Sequence, residues 1–501
     1  MKKEQLLAWL EYFVAAPLLP LTPKGECAPF VAGVLPFRGV RGVSGGKQLW
    51  TFYISILLTI LCLVVGITSA KAIQNGQPQP KSFQPLKFDF GSGEVKPGYI
   101  AVTASSIYKP GEKFGIVSEQ PVSAENRTGK NKLTSDFITS DHPYYFNVRV
   151  PEGQYRITLT LGDSEGTSAT TVKAESRRLM LENIQTKKGE TVQKTIVVDV
   201  RTPKINATEE VHRKPRELKY LNWDKLLTLE IDGPHSCVSS VEIEQANELP
   251  TIFLAGNSTV VDQEYEPWCS WGQMFPRFLN PEIVVANYAE SGETLLAFRH
   301  ENRLKKLLSK MKPGDYLFIE FAHNDQKPGP NHVDPYTTYQ DQLRYFINEA
   351  RKRGGKPVLV PSTNRRFFDK NGKIVNTLED YPDAMRQLAK EENVPLIDLN
   401  AMSKVFFEAL GSENSTKAFV HYPAHTYPGQ DKALADNTHF NPYGAYELAK
   451  CVVHSILEQH LDLSKYVVDD FKAFDPAHPD SWKGFFWPDS PSSSIIKPDG
   501  N

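Results

Sequence analysis

Ser258 stands just past an uninterrupted apolar run, Thr251 to Ala255, in the order Gly256-Asn257-Ser258-Thr259. A hydroxyl on a tight turn beyond the carboxyl end of a buried strand is open to a substrate, and it becomes a nucleophile when a base takes its proton. Asp436-Asn437-Thr438-His439 offers that base far along the chain: a carboxylate stands three residues before an imidazole, ahead of a helix opening with Pro442. One short loop is predicted to hold the base His439 and its orienter Asp436. Two further blocks follow later strands. Ser291-Gly292-Glu293-Thr294 offers a compact backbone N–H and Ala322-His323-Asn324-Asp325 a side-chain amide, and both are donors for a developing oxyanion. The combination predicts acyl transfer. Each block alone is more often a turn or a helix cap; the ordered combination carries the signal.

Several neighbours are candidates for substrate contact. Trp268 and Trp271, with Tyr265, have rings that can stack on sugars, and Arg365 and Arg366 follow the fourth strand, where a guanidinium can pair with a carboxylate. Aromatic core and solvated loop charge are the plainer readings of these residues. His421 and His425 stand four apart, as two metal ligands do on a helix, but Pro423 between them and Pro428 after them oppose a regular helix. They are expected to shape a loop at the rim instead. The predicted chemistry requires neither a metal nor an organic cofactor.

Ser258, Gly292, Asn324 and His439 with Asp436 resemble the four ordered blocks of the SGNH hydrolases, the GDSL-type lipases and esterases, over roughly residues 251–459. Within that superfamily the wording Gly256-Asn257-Ser258-Thr259-Val260-Val261, the pair Trp268 and Trp271, His323-Asn324-Asp325 and Asn364-Arg365-Arg366-Phe367 are most similar to rhamnogalacturonan acetylesterases. The resemblance implies removal of acetyl groups from an acetylated polysaccharide or oligosaccharide through acetyl-Ser258, with an oxyanion hole formed by the N–H groups of Ser258 and Gly292 and the amide of Asn324. Asn257 departs from the pattern, which usually has Asp before the serine; an Asn keeps a side-chain acceptor and a donor in the turn. The same chemistry on xylan, peptidoglycan or lipid acyl groups is an alternative, and so is a non-catalytic glycan-binding protein, against which the intact Ser258, Asp436 and His439 argue.

These residues need a scaffold. From Thr251 the sequence alternates continuous apolar runs (Thr251 to Ala255, Ile283 to Val285, Tyr316 to Phe321, Val358 to Val360, Leu396-Ile397) with helical stretches predicted over Leu295–Met311, Tyr339–Arg353, Tyr381–Glu392 and Pro442–Gln459. That pattern is a doubly wound, flavodoxin-like α/β domain with its site at the carboxyl ends of parallel strands. From Leu86 to Glu244 the period is two, in runs such as Tyr155 to Leu161 and Val238 to Ile243, which predicts a β-sandwich without amphipathic helices. Its Phe88-Asp89-Phe90-Gly91, Gly98-Tyr99 and Val150-Pro151-Glu152-Gly153-Gln154-Tyr155 resemble galactose-binding-like jelly-roll domains. The switch of period near Thr251 predicts two separable halves.

The chain has 501 residues, 40% hydrophobic and 23% charged, the composition of a packed globular protein. With 57 Lys plus Arg against 59 Asp plus Glu, no basic excess points to nucleic acid. Residues 48–70 carry no charge and follow Arg38, Arg41 and Lys47, so residues 1–72 read as a leader: a signal peptide cut after Ala70-Lys71-Ala72, or an uncleaved membrane anchor. Either way the protein is expected to be exported, with membrane contact only through an uncleaved leader. The organisation expected is a leader (1–72), a linker (73–85), the sandwich (86–247), the hydrolase domain (248–465) and a C-terminal extension (466–501). Beyond the leader, Cys237, Cys269 and Cys451 are expected to be buried apolar thiols.

Overall fold

The computed structural model describes residues 83–128 and 131–499. The predicted leader and most of the linker lie outside the described residues. Among the described residues no helix is long and apolar enough to cross a membrane.

The alternating runs of the first half pair as two sheets, with strands numbered in chain order. One runs β10 (Glu190–Val200), β7 (Gly153–Asp163), β12 (Ser236–Gln245), β1 (Leu86–Phe90), β2 (Ile100–Val102), with β5 (Asp136–Ser140) and β4 (Ser123–Asn126) joined through β12. The other runs β3 (Phe114–Val117), β6 (Tyr144–Arg149), β11 (Leu226–Asp232), β8 (Ser168–Ala174), β9 (Arg178–Thr186). Every second residue of β7, from Tyr155 through Ile157 and Leu159 to Leu161, enters one core with Phe146 and Val148 of β6 and Leu227, Leu229 and Ile231 of β11. Each such side chain contributes about 1.5–3 kcal/mol by leaving water, so the period of two fixes which face is buried. Among the described residues, the helical content of this half is one 3-10 turn, Pro215–Lys219.

In the second half β13 (Thr251–Gly256), β14 (Val284–Asn287), β15 (Tyr316–Glu320) and β16 (Lys356–Leu359) form a parallel sheet in the order β14-β13-β15-β16. The predicted fifth strand, Leu396-Ile397, is reduced to a single bridge from Leu396 to Leu359. Ile252 and Leu254 of β13 pack with helices Leu399–Asn414 and Pro442–Glu458, while Phe253 and Ala255 pack with helices Arg303–Lys310, Gln340–Arg351 and Tyr381–Glu391. A strand buried on both faces has no polar alternate positions, which is why these runs are continuously apolar. The single helix predicted over Leu295–Met311 is two, Leu295–His300 and Arg303–Lys310, because Asn302 takes a left-handed conformation (φ 62°) that Asn tolerates better than most residues. Helix Leu399–Asn414 and the hairpin β17 (Phe419–Tyr422) and β18 (Leu434–Phe440) are additional to the predicted elements.

Both halves fall within one compact unit of the chain. Their boundary contains buried charge, not only loop contacts: Arg178 Nε meets Asp262 Oδ2 at 3.1 Å and Arg177 Nη2 meets Glu266 Oε1 at 2.5 Å, each side chain at most 1% exposed. Either half alone would leave these carboxylates or guanidinium groups unpaired, at a cost of several kcal/mol each.

Candidate active site

β13 ends at Gly256, where an added Cβ would lie 2.5 Å from Val260 Cγ2, so the chain turns there with no room for a side chain. Asn257 Oδ1 then accepts from Thr259 N (3.1 Å) and Thr259 Oγ1 (2.9 Å), closing an Asx turn around Ser258. Asn257 Nδ2 has no partner among the described residues. Of the acceptor and donor expected from Asn257, only the acceptor is used, and an Asp supplies that equally well. Thr259 Oγ1 also lies 2.8 Å from Glu320 Oε1 of β15. Burial pushes the Glu320 carboxyl up to about 7 against the opposing bonds from Trp271 Nε1 and Thr259.

His439 Nε2 lies 2.9 Å from Ser258 Oγ, and its Nδ1 lies 2.8 Å from Asp436 Oδ2. With Nδ1–H donating to the carboxylate, Nε2 is left to accept the serine hydroxyl proton. Asp436 and His439 sit on β18, not on the predicted loop. Residues three apart on a regular strand point to opposite faces; here the pairing with β17 slips between Phe419 and His421, and Asp436 Oδ1 accepts from the backbone N–H of Thr438 (2.7 Å) and His439 (3.0 Å), folding the carboxylate back to the imidazole. Burial works against the Asp436 anion, but the His439 ring and these backbone donors outweigh it and hold the carboxyl down to about 2.

The candidate donors follow β14 and β15, the strands on either side of β13. Gly292 takes φ +81°, which favours glycine, and neither its N–H nor that of Ser258 has an acceptor among the described residues. Asn324 Nδ2 donates to Glu293 O (3.0 Å) while its Oδ1 accepts from Lys327 Nζ (3.0 Å), which fixes the amide with its NH2 toward the glycine turn. The turn is held from the sandwich side. Lys214 Nζ and Arg216 Nη2 donate to Ser291 O at 2.6 and 2.8 Å, and Arg216 also pairs with Glu290 at 2.7 Å. Ser258, Asp436, His439, Gly292 and Asn324, named from sequence spacing, are thus gathered in one place. Lys327, Lys214, Arg216 and Arg177 escaped that reading, since a lone cation far along the chain carries no spacing signal.

The outer candidates divide. Trp271 is fully buried and donates Nε1–H to Glu320 Oε2 (2.5 Å), and Trp268 is 3% exposed, edge-on to the His439 ring at 5.8 Å with Nε1 donating to Ser494 O (2.8 Å). Neither offers a face to a sugar, so both are corrected to packing roles. Arg365 is 8% exposed and donates to Thr377 O and His323 O, tying loops together. Arg366 is half-buried; its N–H donates to Asn437 O (2.8 Å), and its Nε has no partner among the described residues. His421 Nε2 lies 3.0 Å from Asn437 Oδ1, and burial lowers its pKa. His425 belongs to a turn closed by its N–H on Gln430 O (2.8 Å). Cys237, Cys269 and Cys451 are free and buried, and burial pushes the thiols of Cys237 and Cys269 up to about 12.

Residues 254–445 match the GDSL-like Lipase/Acylhydrolase family, and residues 86–201 match the galactose-binding domain-like module of Beta-agarase/YXIM esterase-like proteins. The rhamnogalacturonan acetylesterase RhgT of Bacillus subtilis (strain 168) is 44% identical over 219 residues, 43% of this chain and 94% of that protein. The chain belongs to the GDSL-like lipase/acylhydrolase family. A probable rhamnogalacturonan acetylesterase, YesY, from the same strain is 37% identical over 225 residues, 44% of this chain and 98% of that protein. Its uncharacterized esterase YxiM is 26% identical over 425 residues, 82% of this chain and 98% of that protein, so the alignment runs through both halves. The protein is a serine esterase: an SGNH hydrolase domain carried with a galactose-binding-like sandwich, as the ordered blocks suggest.

Proposed function

We propose that this esterase removes acetyl groups from pectic rhamnogalacturonan, with Ser258 as nucleophile, His439 as base and Asp436 as its orienter. The observation that carries the reading is the unbroken hydrogen-bonded relay Asp436–His439–Ser258 in a chain whose relatives are named for this activity. Ser258 Oγ adds to the acetyl carbonyl carbon while His439 Nε2 takes the hydroxyl proton. Asp436 steadies the imidazolium. The carbonyl oxygen, now anionic, takes hydrogen bonds from the N–H groups of Ser258 and Gly292 and from the second amide hydrogen of Asn324, each worth about 3 kcal/mol in the transition state. Collapse breaks the ester C–O bond, and the departing sugar oxygen takes the proton from Nε2. Water then repeats the sequence on acetyl-Ser258: His439 takes its proton, its oxygen adds to the acetyl carbon, and Ser258 Oγ leaves with the proton as acetate is released.

The rim supports an acidic glycan. Arg366, whose backbone N–H donates to Asn437 O, has a buried Nε without a partner among the described residues, and a galacturonate carboxylate is a natural acceptor for it. Acetate release from acetylated rhamnogalacturonan, acetylated xylan and a small neutral acetyl ester tests the reading. The expected order is rhamnogalacturonan first, and Arg366→Gln is expected to raise KM about tenfold on rhamnogalacturonan while leaving the small ester unchanged. Preference for xylan in both proteins would reject the pectic substrate. The uncharged run at residues 48–70 supports an exported enzyme, and a mature terminus near Ile73 by protein sequencing is the expected result.

A further inference from the structure

Ser258 is 2%, His439 1% and Asn324 6% exposed, a closed site for an enzyme whose substrate is a polymer. The segment 494–499 reaches it at three points. Ser494 O accepts from Trp268 Nε1, Lys497 Nζ stands 3.4 Å from Asp436 Oδ2, and Asp499 Cβ lies 3.2 Å from where a Gly292 side chain would begin. Within a few residues the segment thus reaches the ring beside the base, the orienting carboxylate and the oxyanion glycine.

The attachment is uneven. Ser490 is 7% exposed; its hydroxyl bonds Glu230 (2.5 Å) and Lys173 (2.9 Å), and its N–H bonds Glu266 (3.2 Å). Glu266 further bonds the backbone of Ser492 and Ser494 as a short parallel bridge. Beyond Ser494 the contacts change character: Lys497, 47% exposed, pairs with the buried Asp436, and Asp499, 64% exposed, pairs with the partly exposed Arg216. Ile495 and Ile496 are 41% and 78% exposed. Breaking the buried anchor costs several kcal/mol, whereas the pairs beyond it each have one solvent-exposed partner, so they are weaker than the anchor and are screened by salt.

We propose that residues 495–499 are a specificity-determining strap, hinged at Ser494, that closes over Ser258 and swings aside to admit a bulky acetyl ester. In the closed position the Lys497 ammonium draws on the Asp436 charge that would otherwise steady the His439 cation, and Asp499 occupies the approach to Gly292. The proposal rests on the reading of Ser258 as nucleophile and not on the identity of the glycan.

The test compares the full chain, a chain ending at Ser494, and the full-length double variant Lys497→Gln with Asp499→Asn, which keeps the segment but removes its charges. Three readouts apply: the rate at which a neutral aryl phosphonate labels Ser258, with Ser258→Ala as control; turnover of acetylated rhamnogalacturonan oligosaccharides; and the effect of raising salt from 0.05 to 0.5 M, about a threefold change in screening length. Both variants are expected to label at least threefold faster than the full chain and to lose the acceleration by salt that the full chain shows. Labelling unchanged or slowed in both variants would overturn the strap. Faster labelling without oligosaccharide turnover would keep the strap and reject the glycan reading.

Discussion

Arg177 of the sandwich donates its Nη1 hydrogen to the carbonyl oxygen of Trp268 at 2.9 Å, and the indole of Trp268 meets the His439 ring edge-on at 5.8 Å. One side chain therefore joins the sandwich to the packing of the proposed base. The turn between β8 and β9 that carries Arg177 has positive φ at both Glu175 (54°) and Arg177 (61°), so the backbone is bent sharply to deliver it. Gln263 O takes a second bond from the same guanidinium, and Glu266 takes its charge.

Arg177→Met leaves Glu266 buried with its carboxylate short of a partner, and a loss of about 3–5 kcal/mol is expected. Thermal unfolding of the full chain checks this, together with soluble yield of residues 248–501 alone. That fragment lacks Arg177, Arg178, Lys214 and Arg216 and is expected to aggregate.

Ser258→Ala and His439→Ala are each expected to lower turnover of a small acetyl ester by at least a thousandfold at unchanged melting temperature, since neither group works without the other. Asp436→Asn keeps an oxygen for the Thr438 and His439 N–H groups; Asp436→Ala does not. Both are expected to lose activity, and only the alanine variant is expected to lose stability as well, by about 1–3 kcal/mol from the unsatisfied donors. Kinetics and calorimetry on the pair separate the two effects.

Asn324→Ala removes one oxyanion donor, and a fall in kcat of about a hundredfold or more is expected with KM nearly constant. Lys327→Met leaves the amide in place but removes the bond that fixes its rotation. A smaller fall, about tenfold and again in kcat, is expected, and a KM effect of that size would instead assign Lys327 to substrate binding.

Glu320 links stability to pH. Its folded carboxyl titrates near 7, above the ordinary 4.5, so the folded state holds the proton more tightly. The sign follows: its contribution is fully present below about pH 4.5 and is lost as pH rises through about 7, a decline on the order of 3 kcal/mol. The protonated acid can donate to Thr259 Oγ1 while Thr259 donates to Asn257 Oδ1 and Trp271 donates to the other oxygen. Glu320→Gln preserves that chain of bonds without a charge. Urea unfolding from pH 5 to 8.5 is expected to show the decline in the parent chain and its absence in the variant.

The fold class and the candidate members of the relay could be read from local patterns. Continuous apolar runs with helical stretches between them leave a strand no solvent face, and alternation leaves it one, so the two halves were legible from period alone. Ser258, Gly292, Asn324, Asp436 and His439 were legible because each follows a strand or precedes a helix at a spacing that chemistry can use. The tertiary structure decided everything that depends on meeting across long separations. β8 and β9 are rich in Thr, Lys, Arg and Glu that obscure their alternation, yet the turn between them brings Arg177 to Trp268, 91 residues away. Trp268 and Trp271 read as sugar platforms because a sequence does not say which aromatic rings will be covered. Asp436 and His439 share a face only because β18 slips its register and its carboxylate bonds the backbone. Lys497 and Asp499 reach Asp436 and Gly292 through an anchor at Ser490 built from Lys173, Glu230 and Glu266, and no local pattern in the last residues encodes that path. Local chemistry fixes what a residue can do; which residues meet is set by burial of charge and apolar surface over the whole chain.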